Sequence, residues 1–173
     1  MDVSRTLNIT VRSILVLLIG STVLVILYTS ITTGWLHPHP SDEALIHALD
    51  ENTEDYNMLV TMFSEDTSLT AVATKWMHPE NAITNTRRER YRTIFQRLKL
   101  AQGIRRGPGN AIRFISSSKG LAINGSTKGL IYEPEKPEPL FNSLDEVPSP
   151  DELSGTGYRR INDKWYIFFE YHP

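Results

Sequence analysis

One run of residues limits what the rest of the chain can be. From Ser13 to Ser41 there is no Asp, Glu, Lys or Arg, and Ile14 to Tyr28 is almost entirely Ile, Leu and Val. Read as a helix from Ser13 to Leu36, the run reaches about 36 Å, enough for a hydrocarbon core of about 30 Å. Nothing else in the 173-residue chain is large and apolar enough to surround such a helix, so the reading is a transmembrane span. Arg5 and Arg12 precede it, and Asp42 and Glu43 follow it. The basic flank stays in the cytoplasm, which divides the chain into a tail (1–12), a transmembrane helix (13–36) and an outward-facing domain (37–173). Tyr28 and Trp35 stand where an outer aromatic belt belongs. The competing reading is a cleaved secretory signal, with Thr32-Thr33-Gly34 as the only passable small-residue site and no A-x-A pattern. Both readings put the domain on the same side.

The outer domain is long enough to bury a core of its own. The chain has no cysteine, which excludes disulfides, thiolate chemistry and a lipobox, and fits either redox compartment. Its charge is segregated. Residues 37–66 hold eight acids and no Lys or Arg, residues 75–128 hold twelve bases and two acids, and residues 129–152 return to seven acids and one lysine.

The periodicity predicts an α+β domain, with two or three helices packed on one antiparallel sheet of about four or five strands. After His37-Pro38-His39-Pro40, a stiff exit from the span, Ser41 is a good N-cap. Leu45, Leu49, Asn52, Tyr56, Leu59 and Phe63 then form one stripe on a helix of about six turns. That stripe suits packing on the domain's own sheet, or the seam of a homodimer through 41–63 with Asn52 setting register. Residues 67–77 fit a short helix or a strand equally. Thr86-Arg-Arg-Glu89 reads as a capping box opening a second helix with Tyr91, Ile94, Phe95, Leu98 and Ala101 on one side. Strands are expected at 111–116, 119–123, 127–132, 158–161 and 164–171, with tight turns at Asn124-Gly125 and Asn162-Asp163 and a proline-rich loop at 133–152. The last strand is apolar on both faces, as a strand inside a sheet must be.

Candidate chemistry fails on spacing. Gly125-Ser126-Thr127-Lys128-Gly129 lacks the flanking glycines of a nucleophile elbow. Gly120 to Thr127 approaches a phosphate-binding loop, but Ser126 occupies the lysine position and no helix follows. Asn124-Gly125-Ser126 is a glycosylation sequon that a hairpin explains as well. His37 and His39 lack a third metal ligand. His47 faces Asp50 and Glu51 on an acidic helix, and His78 and His172 have no identifiable partner. Glu65-Asp66 is a carboxylate pair open to acid–base use, although adjacent acids at a helix end more often cap or lie exposed. No catalytic residue, cofactor or metal is expected, and the chain reads as non-enzymatic. The feature above background is the basic run Arg87, Arg88, Arg90, Arg92, Arg97, Lys99, Arg105 and Arg106. Arg87, Arg88, Arg92, Arg97, Lys99, Arg105 and Arg106 are the candidate face for a partner or anionic lipid. The alternative is that flanking acidic segments neutralise this run within the fold. Its aromatics are not interleaved with the arginines as nucleic-acid stacking platforms would be.

Lys128-Gly129-Leu130-Ile131-Tyr132, the proline-rich stretch, Leu140, Ser143-Leu144-Asp145, Tyr158-Arg159 and Asp163-Lys164-Trp165-Tyr166 carry a resemblance. Over residues 113–171 the chain resembles small uncharacterised membrane-anchored envelope proteins of Gram-negative bacteria. The resemblance implies a bacterial inner-membrane location with the C-terminal domain in the periplasm, and it implies no activity. The expectation is a single-pass, signal-anchored interaction domain binding an envelope protein, such as a toxin met by an immunity-type protein or a membrane complex. A lipid-surface module and a small hydrolase using Glu65, Asp66 or a histidine are the alternatives.

Overall fold

The stripe that follows Pro40 builds two helices. In the computed structural model, which describes residues 39–121, 124–146, 153 and 155–172 together with Gly20, Ser21 and Leu24, α1 spans Asp42–Glu51 and α2 spans Thr53–Glu65. Ser41 caps α1 as expected, its hydroxyl accepting from the Ala44 amide at 3.1 Å. The expected six-turn helix breaks at Asn52, which ends one helix and begins the next. Its side-chain amide donates to the Ala48 carbonyl at 2.9 Å, a local bond that competes with helix continuation. The stripe is still buried on both sides of the break. Leu45, Leu49, Tyr56, Leu59 and Phe63 are all within the domain core, so the residues of the suggested dimer seam are occupied internally.

The second expected helix is α3, Asn85–Arg97. Its cap is Thr84, whose hydroxyl accepts from the Arg87 amide at 3.2 Å, two residues before the expected Thr86. Thr84 has the extended backbone a cap needs, whereas Thr86 lies inside the helix. Tyr91, Ile94 and Phe95 face the core.

The sheet has seven antiparallel strands among the described residues, more than the four or five expected. They are β1 (Ala71–Val72), β2 (Met77–His78), β3 (Ile104–Arg106), β4 (Ile112–Leu121), β5 (Asn124–Tyr132), β6 (Thr156–Arg160) and β7 (Trp165–His172), in the order β2-β1-β3-β4-β5-β7-β6. The first three hold two or three residues each, too few to display a period. They also resolve the ambiguous 67–77 segment as a strand, a turn and the start of a second strand. The two strands expected at 111–116 and 119–123 are one, with a register shift between Ile115 and Ser117. Asn124 and Gly125 are not the hairpin turn, because they pair with Leu121 and Gly120 as part of β5; residues 122–123 lie outside the described residues. Register here is set by the buried pairs Phe114–Leu130 and Leu130–Ile167 rather than by local turn preference. Gly129 sits beside the bulge, and a Cβ there would meet the Phe114 carbonyl at 2.0 Å.

β7 lies between β5 and β6, as its two apolar faces require. Trp165, Ile167 and Phe169 join the helices in the main core, where the Tyr56 ring meets Phe114 and Trp165 at 5.4 and 5.8 Å. Burial pushes the Tyr56 hydroxyl up to about 12. Phe168 points the other way into a small cluster with Ala111, Ile115, Ile131 and Tyr158, roofed by the Arg113 guanidinium 5.1 Å above its ring. The chain divides into two units, Met1–Pro38 and His39–Pro173. Among the described residues no helix is long and apolar enough to cross a membrane, and the 13–36 segment lies outside them except for three helical residues.

Candidate functional site

Among the described residues three charged clusters organise the domain, two of them built around a buried or mostly buried carboxylate. The first is at the start of α1. Asp42 has no solvent exposure and Lys128 has 1%. Lys128 Nζ lies 2.8 Å from Asp42 Oδ1 and 2.8 Å from Asp145 Oδ1, and donates to the Leu144 carbonyl at 3.2 Å. Asp42 Oδ2 accepts from the Leu144 amide at 2.7 Å, the Ser143 hydroxyl at 3.3 Å and Arg159 at 3.0 Å. The Asp42 amide in turn donates to Asp145 at 2.7 Å, and Arg159 reaches Glu43 at 3.0 Å. Burial works to raise the Asp42 carboxyl, yet the bonds from Lys128, Leu144 and Arg159 outweigh it and hold it below the usual carboxylate range.

Beside this network, His39 is docked on the sheet. Its Nδ1 is 2.6 Å from the Ser117 hydroxyl, its Nε2 is 2.8 Å from the Ser126 hydroxyl, and its ring meets the edge of Phe169 at 5.5 Å. Burial first, then Lys119 and Lys128, lowers its proton affinity to about 4, so the ring is neutral at ordinary pH. The histidine expected in a stalk is therefore part of the fold. With both ring nitrogens engaged by serines, it has no free nitrogen for a metal. No cluster of three or more metal-ligating side chains occurs among the described residues.

The second cluster fastens α2 to α3. Asp66 Oδ2 accepts from Arg87 Nε at 2.8 Å and from the Tyr91 hydroxyl at 2.7 Å, while Arg87 also reaches Glu65 at 2.8 Å. Burial, and then the hydrogen bond it donates to Asp66, push the Tyr91 hydroxyl up. Arg106 donates to the carbonyls of Phe63 and Leu69, each at 2.7 Å, and of Asp66 at 3.1 Å, and lies 4.6 Å over the Phe63 ring. It thereby takes up carbonyls that the end of α2 leaves open. The Glu65–Asp66 pair is thus held by Arg87 and Tyr91 in a structural role. Arg97 is likewise bound to Asp55 at 2.8 Å on α2.

The third cluster surrounds the turn between β1 and β2. Arg92 Nε donates to the Thr74 carbonyl at 3.1 Å and Arg88 to the Lys75 carbonyl at 3.0 Å. Trp76 is 42% exposed, with the Arg105 guanidinium 5.7 Å over its ring. Lys75, Lys99 and Arg105 are exposed, and Arg92 pairs with an acid, Glu89, at 2.7 Å. The candidate residues thus separate. Arg88, Arg92 and Arg105 lie around the Trp76 turn, Lys99 is exposed beyond the end of α3, Arg97 is exposed but paired with Asp55, and Arg87 and Arg106 are spent within the domain. Arg105 and Arg106 lie on β3 rather than on the basic helix, because α3 ends at Arg97 and Gly103 reverses the chain with a positive φ of 73°.

Sequence reasoning missed the first cluster entirely. Its one signal was Lys128, which falls in phase with Leu130 and Tyr132 on the strand face that is buried. No family model, curated protein or solved structure matches the chain.

Proposed function

We propose that the chain is a non-enzymatic, single-pass membrane-anchored domain, held on the periplasmic side of a bacterial inner membrane, that binds an envelope protein through the Trp76 corner. The observation that carries this reading is the half-exposed Trp76 under the Arg105 guanidinium, next to Lys75 and to Arg88 and Arg92, which bind the 74–75 backbone. Trp and Arg are the side chains most enriched among residues that dominate binding energy, and a cationic rim steers an acidic surface towards them. The uncharged run from Ser13 to Leu36, with its basic leading flank, supports the anchor and its direction. A toxin neutralised by an immunity-type contact or a subunit of a membrane complex both fit this chemistry.

The lipid-surface reading is less well supported. Of its seven cations, Arg87 and Arg106 are held within the domain and Arg97 is paired with Asp55 at the surface, and a tryptophan stacked by arginine suits a defined protein epitope. In-cell photocrosslinking from position 76 separates the two readings. A discrete protein adduct, abolished by R105E, is the expected outcome. Adducts to lipid alone, or an adduct unaffected by R105E, would replace the protein partner with a membrane surface.

A further inference from the structure

We infer that residues 39–42 form a clasp, closed on the sheet while the His39 ring is neutral and loosened by acid. The geometry is that of a strap crossing several elements. His39 spans β4 and β5 through Ser117 and Ser126 and rests on Phe169 of β7. Three residues later Asp42 is tied to β5, β6 and the 143–145 segment. The charges around the ring are unbalanced. Lys119 from β4 and Lys128 from β5 oppose a proton on it. Among the described residues the nearby acids have cations of their own: Asp42 pairs with Lys128 and Arg159, Asp145 with Lys128, and Glu43 with Arg159. Both serine hydroxyls can still accept from an imidazolium, so the clasp is opened by charge and desolvation and not by loss of hydrogen bonds. A proton is held less well by the docked ring than by the free one. Docking is therefore fully favoured above the free imidazole value of 6.5 and weakens as pH falls from there towards about 4. The inference stands whether or not the domain binds a partner.

The test is hydrogen exchange on the full-length chain in detergent micelles, corrected for the intrinsic effect of pH on exchange. Between pH 7.5 and 5, protection of the peptide covering 39–45 should fall roughly tenfold or more, as linkage over that interval requires, while 104–114 stays protected. H39Q, which keeps hydrogen-bonding capacity without titrating, should flatten this response. K119Q, which leaves His39 and both serines in place, should give a smaller fall than the unmodified chain. Protection of 39–45 that does not change with pH would overturn the clasp. An undiminished response in H39Q or K119Q would overturn it equally.

Discussion

Asp42 and Asp66 stand at opposite ends of the α1–α2 pair and fasten it in different ways. Asp42 is sealed from water and meets Lys128 and Arg159 of the sheet and the backbone at Leu144. Asp66 keeps some solvent contact; its carboxylate joins Arg87 and the Tyr91 hydroxyl, and its carbonyl accepts from Arg106. Asp55–Arg97, further along α2, is an ordinary surface pair. Similar charges therefore range from indispensable to incidental within one domain. Burial, not charge density along the chain, sets which they are: a buried ion left without its partner costs several kcal/mol, while an exposed pair is screened by water.

The comparison is sharpest at Asp42. D42A leaves the Lys128 ammonium buried and short of a counter-ion, and should lower stability by about 3–5 kcal/mol in denaturant titration. The double replacement D42L/K128M removes both charges and should cost clearly less than D42A. If the single and double variants lost equal stability, packing rather than charge would be the source. D66A frees Arg87 and the Tyr91 hydroxyl together, and about 1.5–3 kcal/mol is expected for losing these charge-assisted bonds. A D66A effect as large as that of D42A would erase the distinction between the two sites. R97A is at the other extreme, and its denaturation midpoint should stay within the scatter of repeats. A clear drop there would mean that α2 and α3 depend on the surface pair.

Much of the architecture was legible where a segment repeats one period often enough. The Leu45–Phe63 stripe, the Tyr91–Phe95 face and the two-sided β7 all lie where their spacing puts them. The break at Asn52 was not legible, because the stripe stays in phase through it. β1, β2 and β3 are held by their neighbours rather than by their own composition. The Trp76 corner joins a turn, a helix and β3, three segments with no common signal. Lys128, Ser143-Leu144-Asp145 and Arg159 look unrelated along the chain, and all converge on Asp42.

What the sequence determined by itself is the uncharged run, the cysteine-free charge segregation, the α+β class and the apolar face of each long element. These depend on local period and composition, which need no distant partner. Which charges are buried, that His39 belongs to the sheet, and that only part of the arginine run faces outward were decided by the tertiary structure. Desolvation and ion pairing arise when segments a hundred residues apart are brought together, and nothing in either segment encodes the meeting.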